Sequence, residues 1–117
     1  MAVFASRQIV MPVLTIAVTI TGSGNSIGCY ATINGTDQYS AGMHEVYAGD
    51  TITFGVIGVR KAYGSVTIDG TEVLRVTRGS TATYDWIVPS GISTIKIAME
   101  FNGAFAARNG RITVTTT

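Results

Sequence analysis

The sequence has few of the residues from which small catalytic and metal sites are built: it contains one cysteine, one histidine and two prolines. A single cysteine, Cys29, cannot form an internal disulfide, which excludes the disulfide-stabilised class of secreted domains. A zinc site or a hydrolase triad would need further ligands or a nucleophile grouped with His44. No spacing in the sequence indicates such a group, and none supports a Cys29–His44 pair.

Charge is also scarce. Charged residues make up 13% of the chain, against about 25% in an average soluble protein. The eight basic residues are scattered and the net charge is +1, so no basic stripe predicts a nucleic-acid partner. A weakly charged surface instead favours burial against other protein.

No apolar run is long enough for a transmembrane helix, which needs about 20 residues. The mostly apolar run 9–18 is interrupted by Pro12 and Thr15. The alternation across 13–20 is typical of a strand and not of the core of a signal peptide. We therefore expect no membrane partner, and we expect residues 1–12 to form an N-terminal arm ahead of the first strand.

β-rich segments recur about every ten residues, which is the spacing of a sandwich or barrel. The predicted fold is all-β: an immunoglobulin-like antiparallel β-sandwich over residues 13–117, preceded by the N-terminal arm. The nine predicted strands lie at 14–21, 28–33, 44–47, 51–57, 64–68, 71–76, 81–88, 94–101 and 110–116.

Three Asn-Gly or Asp-Gly pairs border these strands. Type I′ hairpin turns need positive φ at both central residues, and these pairs tolerate that best. We therefore predict tight turns at Asn34-Gly35, Asp69-Gly70 and Asn109-Gly110.

Alternation within the strands also predicts the core. Leu14, Ile16, Val18 and Ile20 share one face of their strand, and the threonines occupy the other. In the strand at 81–88 the inward set includes Trp86, which we expect in the core.

The seven acidic residues give no paired pattern. Asp50 and Asp69 fall in turn motifs, where bonding to nearby backbone is sufficient reason for a carboxylate. A calcium loop would show a D-x-D-x-D-G cluster, which the sequence lacks. We predict no catalytic residue, no metal ligand and no cofactor, and hence a protein that is not an enzyme.

Three tyrosines near predicted turns, Tyr39, Tyr47 and Tyr63, are candidate exposed binding aromatics. Coplanar exposed rings would stack against a sugar and point to a glycan ligand. The alternative is that these rings pack against neighbouring strands.

The segment 45–54, EVYAGDTITF, resembles a strand pair common in Ig-like modules of bacteria and phages. The segments 64–73 (GSVTIDGTEV), 84–89 (YDWIVP) and 111–116 (RITVTT) continue this likeness. Together they are similar to small Ig-like structural proteins of tailed bacteriophages and prophages, over about three-quarters of the chain.

The resemblance implies a non-enzymatic virion structural protein, preferably a capsid decoration protein that acts through protein–protein contacts. Its partners would be other virion proteins of the capsid or tail, or further copies of itself. It would lie on the virion surface, after assembly in the host cytoplasm. The alternative is a glycan-binding or host-adhesion module on a phage tail or bacterial surface.

The predicted arm is largely apolar. Its candidate assembly residues are Val3, Phe4, Ile9, Val10 and Met11. An exposed apolar arm is usually covered by a partner or by its own domain. Two interpretations stay open: the arm adds to a neighbouring subunit, or it forms the first edge strand of its own sandwich.

Overall fold

A computed structural model describes residues 13–21, 29–57, 59–60, 63–77, 80–101, 107–108 and 110–117. All of the regular structure in these residues is β, and they contain no membrane-spanning helix. In chain order the strands are β1 (Val13–Thr21), β2 (Cys29–Ile33), β3 (Asp37–Gln38), β4 (Gly42–Tyr47), β5 (Thr51–Ile57), β6 (Val59–Arg60), β7 (Tyr63–Ile68), β8 (Thr71–Thr77), β9 (Thr81–Ile87), β10 (Thr94–Phe101), β11 (Ala107–Arg108) and β12 (Gly110–Thr116).

Two packed sheets give the described chain a β-sandwich-like architecture. The larger sheet has six strands in the order β4-β1-β10-β12-β7-β8, and the smaller has four in the order β3-β2-β5-β9. The short strands β6 and β11 pair separately. Each of the nine predicted strands is present, with ends that differ by no more than two residues. The three two-residue strands β3, β6 and β11 were not predicted.

Most described pairings are antiparallel, as predicted, and two depart from the predicted antiparallel sandwich. β1 pairs with β10 in parallel, with Thr15 opposite Thr94. β12 pairs with β7 in parallel, with Ile112 opposite Val66. The other described pairings are antiparallel. A parallel neighbour must come from a distant part of the chain, and such a pairing leaves no turn signature in the sequence.

The core lies between the two sheets, where their inward side chains form one buried cluster. Ile16 and Ile97 contribute from the larger sheet and Phe54 from the smaller, each at most 1% exposed. The alternation in β1 is confirmed for Leu14, Ile16 and Val18, whereas Ile20, near the end of the strand, is 39% exposed and was wrongly expected in the core. Trp86 points inward and its ring centroid lies 6.3 Å from that of Phe54. It is only partly buried, because β9 is the edge strand of its sheet.

Two of the three predicted tight turns are confirmed by their backbone angles. Asn34 and Gly35 have φ of 47° and 77°, and Asp69 and Gly70 have φ of 49° and 83°. For the third, Gly110 is the first residue of β12, whereas Asn109 lies outside the described residues.

A further turn carries the chain from one sheet to the other. Gly49, with φ of 93°, and Asp50 connect β4 of the larger sheet to β5 of the smaller. The Asp50 carboxylate accepts a hydrogen bond from the Tyr47 N–H at 2.9 Å, and the Gly49 N–H donates to the carbonyl of Val88 at 2.9 Å. These bonds satisfy the backbone at the corner and explain the Gly-Asp pair there.

Candidate functional site

The feature of the described chain best suited to binding is the solvent-facing side of the larger sheet. We call this surface the outer face and define it by the outward side chains of four adjacent strands. Its members alternate with the buried core residues of the same strands. They are Met43, Glu45 and Tyr47 on β4; Val13, Thr15, Ala17 and Thr19 on β1; Thr94, Lys96, Ala98 and Glu100 on β10; and Arg111, Thr113 and Thr115 on β12.

A shallow groove runs over the middle of the outer face. Its volume is about 400 Å³. Short side chains explain it, because alanine and threonine on adjacent strands rise little above the backbone. Lys96 is the one charged residue of its lining. The lining residues are Ala17, Thr19, Lys96, Ile97, Ala98, Thr113 and Thr115.

Exposed apolar side chains lie beside this groove. Met43 is 68% exposed, Tyr47 46% and Val13 45%. Tyr47 is directly opposite Val13 in the sheet, and Met43 is opposite Ala17. These residues form an apolar border along the β4 edge, interrupted by Glu45 between Met43 and Tyr47, and exposed apolar patches mark interaction surfaces.

The outer face carries four charged residues, of which Glu100 and Arg111 lie directly opposite each other on β10 and β12. The other two, Glu45 and Lys96, are well separated. Glu45 lies opposite Thr15, and Lys96 lies opposite Ala17. Both are exposed, and neither forms an ion pair with another described residue. The acid and the base thus stand on either side of β1.

The opposite end of the same sheet carries a basic cluster. Tyr63 lies between two guanidinium groups, with Arg75 at 4.4 Å and Arg111 at 5.2 Å from its ring centroid. Arg75 also pairs with Glu72 at 2.7 Å, and this hydrogen-bonded contact lowers the pKa of the Glu72 carboxyl. The cluster is internally paired, so it offers little free charge to a ligand.

The three candidate tyrosines are not brought together. Tyr39 is 8% exposed, so the prediction that it is an exposed binding aromatic was wrong. Its N–H donates to the Ala31 carbonyl at 2.9 Å, and its ring packs edge-on against His44 at 5.0 Å. Tyr47 is exposed, but Tyr63 stands on β7, four strands away from β4, or about 19 Å across the sheet. They therefore do not form a coplanar platform.

Cys29 and His44 have separate surroundings. The Cys29 thiol lies 3.7 Å from the carbonyl oxygens of Glu100 and Arg111, and burial raises its pKa to about 11. The Nε2–H of His44 donates to the Ser40 carbonyl at 2.6 Å. The thiol is therefore protonated near neutral pH, and the imidazole is used in a local contact.

One aromatic feature on the smaller sheet was missed by sequence reasoning. The ring of Tyr30 on β2 lies across Gly55 on β5. A Cβ added to Gly55 would stand 2.2 Å from two carbon atoms of the Tyr30 ring. Beside it the Thr53 hydroxyl donates to the Asp85 carboxylate at 2.7 Å. A glycine within an otherwise β-branched strand was the available signal, because such glycines mark a close approach.

Two further predictions from the sequence concern the candidate assembly arm and metal-ligating groups. The candidate arm residues Val3, Phe4, Ile9, Val10 and Met11 all lie within 1–12, ahead of the first described residue. The described residues contain no group of three or more His, Cys, Asp or Glu side chains placed to hold a metal ion.

Comparisons of the chain with protein-family models, with curated proteins and with solved structures found no match.

Proposed function

We propose that this chain is a non-enzymatic virion structural protein, most specifically a capsid decoration protein that acts through protein–protein contacts on the virion surface. The likeness of segments 45–54, 64–73, 84–89 and 111–116 to small Ig-like phage proteins supports this proposal. An immunoglobulin-like connection of the strands belongs to the same proposal. The sheet-switching corner at Gly49-Asp50 supports it, whereas the two parallel pairings depart from it.

The outer face is the observation that carries the proposal. It combines exposed Met43, Tyr47 and Val13 with a groove of short side chains and little charge. A lone soluble domain usually covers such a surface with lysine and glutamate. A protein partner would bury the apolar border and fill the groove beside it.

The test is the composition of purified particles. Virions from cells that carry this gene are isolated on a density gradient and analysed by quantitative mass spectrometry. We expect the chain in many copies per particle. The variant Met43→Glu places a charge in the apolar border and is expected to lower its copy number at least about tenfold. A matched control, Thr83→Glu on the smaller sheet, should leave it unchanged. Absence of the wild-type chain from particles would overturn the proposal.

The arm at residues 1–12 is part of the same proposal. We infer that its apolar residues add to a neighbouring subunit, by strand addition or exchange. Deletion of residues 1–10 should then abolish assembly and leave the circular dichroism spectrum and melting temperature of the domain intact. Unchanged assembly would contradict this role.

Glycan binding, in a host-adhesion module on a tail or cell surface, is the second candidate function. Tyr30 favours it, because its ring lies along the sheet with the Thr53–Asp85 pair beside it. An aromatic surface with a few fixed polar groups is a common way to hold a small polar ligand. A glycan array with the wild-type chain and with Tyr30→Ala tests it: a hit that the variant loses supports binding, and a blank array overturns it.

A further inference from the structure

We infer that the partner of the outer face is a second copy of this chain, packed face to face about a two-fold axis. The inference rests on the proposed role of this face in protein–protein contacts and names the partner. It is carried by the register of Glu45 and Lys96. These two residues are the oppositely charged pair nearest the apolar border and the groove, whereas Glu100 and Arg111 lie directly opposite each other at the far end of β10 and β12.

Their separation follows from the sheet geometry. Glu45 and Lys96 are two strands apart and offset by two residues along β1. This places their Cα atoms about 12 Å apart, with strands about 4.8 Å apart and residues about 3.3 Å apart. Such a distance is too long for an ion pair within one copy, and it leaves both groups available to a partner.

A two-fold axis in the interface plane pairs them between copies. If the axis crosses the midpoint between the two residues at a right angle to the line that joins them, Glu45 of one copy lies over Lys96 of the other, and the reciprocal pair forms by symmetry. That midpoint falls on β1 between Thr15 and Ala17, whose small side chains allow close approach. The axis then passes near Met43, so the most exposed apolar side chain of the sheet packs against its own copy.

The same operation accounts for Tyr47. Its position at the far end of β4 maps onto the Thr115 end of the groove in the other copy. An exposed tyrosine is thereby placed over short side chains and not over the bulky border. Both the charges and the shapes of the face are therefore self-complementary, which an isologous interface requires.

The contact is small. Four strands of about six residues offer roughly 400 Å² per copy, or about 800 Å² in total. This is less than the roughly 1,200 Å² of stable specific interfaces and is typical of a weak, transient contact. The dimer should therefore dissociate on dilution, and its measurement needs a range of concentrations.

Sedimentation velocity of the full chain between about 1 and 500 µM, at low and at moderate salt, tests the inference. We expect a reversible monomer–dimer equilibrium that salt weakens. Glu45→Lys and Lys96→Glu each bring like charges together and should raise the dissociation constant at least about tenfold. The double variant Glu45→Lys with Lys96→Glu should restore it. Thr81→Lys adds a positive charge at an exposed position of the smaller sheet, outside both candidate binding surfaces, and is expected to have no effect.

Results that differ from these expectations separate failure of the dimer from failure of the virion role. A wild-type monomer throughout this range overturns the dimer, as does a dimer that the single reversals leave unchanged or that the double variant fails to restore. A monomer that still joins particles through Met43 overturns the dimer alone and assigns the face to another virion protein. A dimer with the expected charge pattern that never joins particles overturns only the virion role.

Discussion

The ring of Tyr30 fills the space that a side chain on Gly55 would occupy. The two residues are cross-strand neighbours on β2 and β5, and a Cβ on Gly55 would stand 2.2 Å from two carbon atoms of the ring. Glycine in a strand interior is normally unfavourable relative to alanine. Here its small size is what allows the aromatic side chain to lie along the sheet.

This contact predicts that Gly55→Ala lowers the free energy of unfolding when Tyr30 is present and raises it when Tyr30 has been replaced by alanine. Gly55→Ala in the wild-type chain must displace the ring and should lower the free energy of unfolding by about 1 kcal/mol. In a Tyr30→Ala background the same change should raise it by about 0.5–1 kcal/mol, because alanine suits a strand better than glycine. Urea denaturation of the four proteins in a double-mutant cycle measures both effects. Equal effects in the two backgrounds would contradict the contact.

Asp69 predicts an acid-sensitive contribution to stability. Its carboxylate accepts hydrogen bonds from the Thr116 N–H at 2.8 Å and the Thr116 hydroxyl at 2.7 Å. These bonds hold the pKa of Asp69 below its ordinary value of 3.8. Because the folded-state pKa is the lower one, the contribution is full above pH 3.8 and is lost as the pH falls through the folded-state value.

Asp69→Asn removes the charge and keeps a residue that tolerates positive φ. Melting temperatures of this variant and of the wild type, measured between about pH 2 and 7, should differ most near neutrality and converge in acid. Glu45→Gln is the control at a protein concentration that keeps the chain monomeric, since Glu45 is exposed and accepts no hydrogen bond from the described residues. A constant difference across the range would show that the bonds to Thr116 do not depend on the charge.

The contribution of Cys29 to stability should depend on pH in the opposite sense to that of Asp69: it is lost as the pH rises into the alkaline range. Burial raises its pKa from 9.0 to about 11. Folding therefore favours the protonated thiol, and the contribution is full below pH 9.0 and falls as the pH rises toward about 11. Alkylation by iodoacetamide at pH 7.5 should be far slower in the native chain than in urea. Rapid native labelling would mean that the thiol is accessible; Cys29→Ala gives the unlabelled baseline.

Among the substitutions considered, Phe54→Ala should cause the largest loss of stability. It is 0% exposed, and truncation of a buried phenylalanine to alanine costs about 3–5 kcal/mol. Phe54→Ala should be followed by the fluorescence of Trp86, the single tryptophan of the chain, whose ring lies next to it. Ile87→Ala is the matched control: Ile87 is 65% exposed, and its truncation should change stability by less than about 0.5 kcal/mol.

Much of this fold could be predicted because its determinants are local. The turns at Asn34-Gly35 and Asp69-Gly70 follow from the conformational preferences of two adjacent residues. The inward face of β1 follows from simple alternation, since each buried residue is two positions from the next. Both the turn residues and the alternation can be read from the sequence without knowing which strands pair with one another.

The sheet order and the candidate site could not be predicted in the same way. Nothing in the sequence of β1 identifies β10 as its parallel neighbour. The placement of Glu45 and Lys96 on either side of β1 could therefore not be predicted from the sequence. Tyr39 was misplaced for a related reason: it follows a turn, but the return of the chain against β2 buries it. Contacts of this kind depend on which distant segments meet.

The parallel pair of β1 and β10 also has a consequence for synthesis. Thr15 and its partner Thr94 are 79 residues apart in the chain. At a translation rate of about 5–20 residues per second, β10 leaves the ribosome roughly 4–16 s after β1. Throughout that interval β1 has an open edge in the nascent chain, although it ends as an interior strand. The growing polypeptide must therefore keep this apolar strand unaggregated until almost the whole domain has been made.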